Sequence, residues 1–276
     1  MYPKIIFLGM GLYEICIILG VLAVLLLADK FSIKRKFSIG LQKLLIIGAV
    51  GAIALGFLGA ILFQAVYDWL ATGEFSLQAG MTFYGGFIFG VGGFLFVWFV
   101  VSKPFGVYDE AVARFKDVAD MAGWMVPLAH GFGRLGCLFA GCCHGDVTSA
   151  WYGVRMWVFV QGEWQWAKVV PIQLFEAIAL FALSAALFFV YIKRNASEKT
   201  RVPVLPLYGF AYGIWRFCIE FARGDDRGSS PIPFLTPSQF IAVILIVASI
   251  GYFCIWLYKK TVEVKEDGKN GSDAGL

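Results

Sequence analysis

Seven stretches of this chain, near residues 5–27, 44–67, 83–102, 119–139, 171–192, 204–222 and 238–258, are apolar for long enough to cross a lipid bilayer. One crossing takes about 20 apolar residues in a helix, and seven such runs leave few folds open. Membrane-spanning strands are excluded, because the runs are too long and do not alternate. Helices must therefore satisfy the backbone internally. Hydrophobic residues make up 59% of the chain and charged ones 15%, against roughly 45–50% and 25% in soluble domains. A globular surface cannot hide that much apolar area from water. A soluble enzyme, a disordered chain and a nucleic-acid binder are excluded, so no nucleic acid is expected as a partner. The expected fold is an all-α polytopic membrane protein with seven transmembrane helices. The fourth and sixth runs are the weakest, being Gly-rich and carrying Arg134 and Arg216.

Basic residues set the expected orientation. Of 23 Lys and Arg, 16 fall after the first, third and fifth runs and in the tail, and five fall on the other side. The positive-inside rule then puts the N-terminus outside and the C-terminus in the cytoplasm. The first run has no small-residue cleavage site and exceeds a signal-peptide core, so it is expected to be retained. The absence of a visible internal repeat weighs against an inverted-repeat transporter. Residues 1–260 read as one seven-helix domain, with an outer loop at 140–170 and a mobile cytoplasmic tail at 261–276. Trp151, Trp157, Trp164 and Trp166 suit that loop to an interfacial position on the outer leaflet.

Ionisable groups inside a bilayer are costly, so each is a candidate for function. Tyr212, Arg216 and Glu220 recur every four residues and share one helix face. An internal Arg216–Glu220 pair that merely permits insertion is one reading. A guanidinium oriented by Glu220 to grip an anionic headgroup is the other. Arg134 lies in His130-Gly131-Phe132-Gly133-Arg134-Leu135-Gly136, where helix packing explains the glycines but not the arginine. The fourth and sixth helices run in the same direction, so both arginines fall at similar depth in the outer half. Two converging cations suit a phosphate or carboxylate, and lipid phosphate is abundant there. Gln173 and Glu176 share a face after Pro171, as solvated helix-start residues or as site residues. Glu14 is an acid near the outer end of the first helix.

Cys137, Cys142, Cys143 and His144 form C-x4-C-C-H where the fourth helix emerges. A metal site, a disulfide from Cys137 to Cys142 or Cys143, and close packing in a tight turn all remain open. Cys16, Cys218 and Cys254 sit in apolar runs and are expected to pack.

Five segments together resemble the prolipoprotein diacylglyceryl transferases of bacterial inner membranes. Gly80-Met81-Thr82-Phe83-Tyr84-Gly85-Gly86-Phe87 resembles the family's His-Gly-Gly segment, and Gly133-Arg134-Leu135-Gly136 with Gly141 and Gly145 its Gly-Arg-x-Gly-Asn stretch. Pro171-Ile172-Gln173-Leu174-Phe175-Glu176 resembles its Pro-x-Gln-x-x-Glu helix start. The block from Tyr212-Gly213 through Arg216 to Glu220-Phe221-Ala222-Arg223 resembles its late Tyr-Gly…Arg…Glu-Phe-x-Arg motif. Leu235-Thr236-Pro237-Ser238-Gln239 resembles the opening of its last helix.

The resemblance implies a multi-pass enzyme of the bacterial inner membrane. It would transfer an sn-1,2-diacylglyceryl group from phosphatidylglycerol to the lipobox cysteine thiol of a prolipoprotein signal-peptide segment. Such a displacement needs a stabilised leaving phosphate and a deprotonated thiol, with no metal or organic cofactor. Arg134 and Arg216 would hold the phosphate and Glu220 would orient Arg216. Substrate contacts are implied for Tyr212, Gly85, Gly86, Gly133 and Gly136. Cys137, Gln173, Glu176 and Arg223 complete the implied set.

The chain departs from the family pattern at several points. Tyr84 stands where the family has a proposed base, Cys137 replaces an Asn, Met10 stands where a Tyr precedes Gly-Leu, and the second helix lacks an expected Arg. Tyrosine, with a pKa near 10, is a poor base at neutral pH. His130 or His144 would have to serve, and His130, one turn from Arg134, is the better placed in sequence. Two rival readings are a non-catalytic protein that binds or transports anionic lipid, and a thiol-redox membrane protein using Cys142 and Cys143.

Overall fold

The computed structural model describes residues 9–77, 80, 82–160, 163–195, 197, 200–223, 232 and 234–273. Most of these are helical. In chain order they form α1 (Leu12–Lys34), α2 (Ile39–Thr72), α3 (Phe83–Phe96), α4 (Tyr108–Ala140), β1 (Val154–Val160), β2 (Glu163–Val169), α5 (Ile172–Arg194), α6 (Val204–Ile219) and α7 (Pro237–Asp273). A π-helical turn, Val97–Val101, continues α3, and a 3-10 turn, Glu220–Ala222, continues α6. Met81 and, among the basic residues counted for orientation, Lys4, Lys199 and Arg227 lie outside the described residues, as do residues 5–8 of the first expected span.

Five helices are long and apolar enough to cross a membrane: Leu12–Lys34, Ile39–Leu70, Tyr84–Val101, Ile172–Arg194 and Pro237–Val262. The other two are the fourth and sixth, for different reasons. α4 is long but begins with the charged segment after Tyr108 and contains Pro127. α6 has only 16 residues, about 24 Å at 1.5 Å per residue. Large apolar side chains stay exposed on the long helices, among them Leu26, Phe57, Leu70, Phe87, Ile178 and Val247. Exposed faces of this kind belong against lipid rather than water. Glu14 is exposed in the first turn of α1, and its carboxylate accepts the Gly11 N–H at 2.9 Å. Cys16 is buried as expected, but Cys218 and Cys254 are exposed on helix surfaces. α7 remains helical into the segment expected to be tail.

The expected outer loop holds a β-hairpin, which the sequence reading did not anticipate. β1 and β2 pair antiparallel, with Val154 opposite Val169 and Trp157 opposite Trp166. Met156, Val158 and Val169 turn inward against Leu138 and Ala167, while Arg155 and Trp164 face out. That is the period-two pattern of a half-buried strand. The paired indoles of Trp157 and Trp166 lie edge to face, 5.7 Å between centroids.

The chain divides into two compact units. One comprises residues 23–118, the other residues 1–22 with 119–276. In the first, α2 and α3 pack through glycines. A Cβ on Gly85 would collide with the Gly59 carbonyl and Phe63, and Gly86 sits against Gly56 and Ala60. The structure therefore gives Gly85 and Gly86, read as substrate-binding, a role in helix packing. Trp98 is fully buried and donates its indole N–H to the Ala111 carbonyl at 2.9 Å.

The second unit assembles α4, α5, α6 and α7 with the start of α1. Gly131 makes room for Phe181 of α5 and Gly136 for Tyr13 of α1. Where α4, the end of α5 and the start of α6 meet, Asp120 forms a closed clasp. Its carboxylate accepts hydrogen bonds from Asn195 Nδ2 (2.8 Å), Arg201 Nε (2.8 Å) and the Val204 N–H (2.9 Å).

Candidate active site

The polar cluster begins from helical spacing. His130 and Arg134 lie one turn apart on α4, and Gln173 and Glu176 one turn apart on α5. Tyr212, Arg216 and Glu220 stack down one face of α6 and its 3-10 extension. Packing of α4, α5 and α6 turns these faces inward. Glu176 becomes the hub. It is fully buried, accepts the Tyr212 hydroxyl at 3.0 Å and lies 3.0 Å from Arg134 Nε. Arg216 Nη1 and His130 Nε2 each approach it to 4.0 Å. Glu176 is not in the first turn of α5, so the reading of a solvated, dipole-favouring acid does not hold.

A second carboxylate completes the cluster. Glu220 Oε2 lies 2.6 Å from Arg216 Nη2, which also donates to Ser238 Oγ at 2.7 Å. Thr236 donates its hydroxyl to Glu220 Oε1 at 2.9 Å. That threonine is also the N-cap of α7. Its oxygen accepts the Gln239 N–H at 3.2 Å while Gln239 Oε1 accepts the Thr236 N–H at 3.1 Å, a reciprocal capping box with proline at the first helical position. The start of α7 thus fixes the hydroxyls that hold Arg216 and Glu220. The sequence motif at 235–239 marked this segment without giving Thr236 or Ser238 a role; their signal was the Thr-Pro-x-Gln pattern itself.

Two cations and two carboxylates make the cluster formally neutral, yet its hydrogen bonding is incomplete. Arg134 Nε and Arg216 Nη1 are buried and lack an aligned hydrogen-bond acceptor among the described residues, as do Glu176 Oε2 and Glu220 Oε2 for a donor. Arg134 Nε is nonetheless ion-paired with Glu176 Oε2 at 3.0 Å, so the shortfall there is one of alignment, and Arg216 Nη1 at 4.0 Å is the looser of the two. Beside them the Trp215 indole N–H is likewise buried without an acceptor. Trp215 and Tyr212 of α6, with Ala179, Leu180 and Leu183 of α5, line an apolar cavity of about 170 Å³. His130 packs its ring edge to face on Tyr212, 5.1 Å between centroids, and Tyr208 stacks on the other ring at 5.6 Å.

The other sequence candidates of this unit make contacts of their own. His144 is held by the Gly145 carbonyl, 2.8 Å from Nδ1. A Cβ on Gly133 would meet Ile17 of α1 at an ordinary 3.8 Å, and Gly136 packs on Tyr13. Arg223 forms a backbone bridge with Gly145. Tyr84 belongs to the unit of residues 23–118. Gln173 reaches away from the hub, donating to the Cys142 carbonyl at 2.6 Å. All six cysteines are free, so of the three readings of this cluster the disulfide from Cys137 is not the one formed. Hydrogen bonds from the Cys137 and Cys142 thiols hold the Cys143 thiol well below the ordinary range, and the same sharing pushes Cys142 up.

A sequence model describing the prolipoprotein diacylglyceryl transferases matches residues 3–255. The chain belongs to that family. The phosphatidylglycerol–prolipoprotein diacylglyceryl transferase of Clostridium tetani is 33% identical over 257 residues, covering 90% of this chain and 94% of that protein. The corresponding enzyme of Xanthomonas euvesicatoria is 30% identical over 233 residues, covering 76% and 74%. A second such transferase of Clostridium perfringens is 34% identical over 163 residues, covering 57% and 60%. The match to the family model takes in every helix that builds the cluster, and the chain is accordingly a transferase of this family.

Proposed function

We propose that this protein transfers an sn-1,2-diacylglyceryl group from phosphatidylglycerol to the cysteine thiol of a prolipoprotein lipobox. It would do so in the outer half of a bacterial inner membrane that it crosses seven times, as one domain with its N-terminus outside. Support comes above all from the two guanidiniums, Arg134 and Arg216, that converge on buried Glu176 at 3.0 and 4.0 Å. A phosphate beside them would accept from guanidinium N–H groups and be gripped in a low-dielectric site. The names of the relatives supply the substrate pair.

The chemistry follows from that grip. The acceptor sulfur attacks the glyceryl carbon, the carbon–oxygen bond to phosphate breaks, and glycerol 1-phosphate leaves with the electron pair. Charge grows on the leaving phosphate, which is what Arg134 and Arg216 stabilise. Glu176 and Glu220 keep the two guanidiniums oriented, and Thr236 and Ser238 fix Glu220 and Arg216. His130, within 4.0 Å of Glu176 and against Tyr212, is the base that takes the thiol proton. The apolar cavity beside Tyr212 offers room for part of an acyl chain.

The test is transfer of labelled diacylglyceryl from phosphatidylglycerol to a synthetic lipobox peptide by purified, detergent-solubilised protein. Turnover in the wild type that is lost in His130→Ala and retained in His144→Ala is the expected result. Lipid binding without any turnover would replace this reading with an anionic-lipid binding protein.

A further inference from the structure

At the end of α4, Cys137 in its last turn and Cys142 and Cys143 just beyond it bring three free sulfurs within 4.8 Å of one another. A four-coordinate zinc with bonds of about 2.3 Å sets its thiolates about 3.8 Å apart, so this spacing needs only a small contraction. Neighbouring cysteines in an extended chain point to opposite sides. Cys143 escapes that limit because its backbone is in the left-handed region, with φ of 59°. A non-glycine residue held there is uncommon and is maintained by its surroundings.

Those surroundings are rigid. The Cys142 N–H donates to the Cys137 carbonyl at 3.2 Å and the Gly145 N–H to the Val170 carbonyl at 2.9 Å. The Cys142 carbonyl accepts from buried Gln173. Cys142 is exposed, which leaves an entry path and an open coordination position, while Cys137 and Cys143 are half-buried. Three thiolates with a divalent ion carry one net negative charge, and the guanidiniums of Arg223 and Arg134 both act on Cys143. The donor set is soft, which selects thiophilic d10 cations over magnesium or calcium.

We infer that Cys137, Cys142 and Cys143 form a three-thiolate site for a thiophilic cation such as zinc(II), with the fourth position left to solvent. Binding releases the thiol protons and changes no oxidation state. The ion ties the end of α4 to the loop on which Gln173 leans. The site does not depend on the transferase reading.

The experiment titrates the full-length, reduced protein in detergent with cobalt(II), reading the tetrahedral thiolate spectrum, and then displaces it with zinc(II). One equivalent should bind. Cys142→Ser, the exposed and least disruptive change, and Cys143→Ser should each weaken binding by more than the roughly 10–100-fold that losing an outer-shell partner costs. Cys218→Ser and Cys254→Ser should leave it unchanged. A reduced wild type with no tetrahedral cobalt spectrum would overturn the inference. So would binding that survives both Cys142→Ser and Cys143→Ser, or protein isolated without reductant whose three cysteines hold a disulfide and no metal.

Discussion

Two buried polar clusters hang on α4, Asp120 in one and Arg134 in the other, about 21 Å apart along the helix. Both join α4 to α5 and α6, yet they differ in how many charges they bring together. Asp120 has one carboxylate for one guanidinium, an amide and a backbone N–H, with bonds of 2.8–2.9 Å, and Arg201 Nη2 lies 2.7 Å from it without an aligned bond. At the other end Arg134, Arg216, Glu176 and Glu220 crowd together, and buried nitrogens on both arginines stay without aligned acceptors. A network around a single carboxylate joins its helices, whereas two guanidiniums brought together concentrate positive charge that an anion can share. On the proposed function, the first cluster holds the helices in place and the second receives the lipid phosphate.

The sharpest way to break that contrast is Asp120→Ala. It strands the half-buried Arg201 and leaves the Val204 N–H and Asn195 amide without their acceptor, and should cost about 3 kcal/mol of stability, seen as a lower thermal unfolding midpoint in detergent. The surviving folded protein should keep its KM for phosphatidylglycerol. Arg134→Ala or Arg216→Ala should do the reverse, lowering transfer by about 10²–10³-fold or more while insertion into the membrane is retained. Full activity in either arginine variant would remove the proposed mechanism.

Arg216→Lys sharpens the comparison further. A lysine keeps the charge but cannot serve Glu220, Ser238 and a phosphate with one planar fork, so transfer should fall nearly as far as in the alanine variant. A smaller effect is expected from Thr236→Val. It removes a hydrogen bond to a carboxylate, of order 1.5–3 kcal/mol, and the α7 cap. Its signature is a loss of turnover together with a modest drop in the unfolding midpoint, whereas Ser184→Ala, remote from the hub, should leave turnover unchanged.

Much of this site was legible in advance. Four-residue spacing put Tyr212, Arg216 and Glu220 on one face, and the intramembrane position of Arg134 marked it out, because burying a charge is too costly to be incidental. The same reasoning undervalued Glu176, since an acid near a helix start looks alike whether it meets water or two arginines. It missed the Asp120 clasp, whose partners are 75–84 residues away in sequence. The hairpin at 154–169 was overlooked because its tryptophans suggested an interfacial loop, although the alternation of Met156 and Val158 with Arg155 and Trp157 was present.

The sequence by itself determined the membrane class, the run of long apolar helices and the membership in the transferase family, since these rest on local hydropathy and on ordered short motifs. Only the tertiary structure decided which polar groups meet. It made Glu176 the hub and recruited Thr236 and Ser238 through the cap of α7. It also turned Gly85 and Gly86 toward α2 and brought three cysteine sulfurs together as free thiols. Partner choice among buried charges is a matter of helix packing, and the packing of one helix on another is set by side chains far apart in the chain.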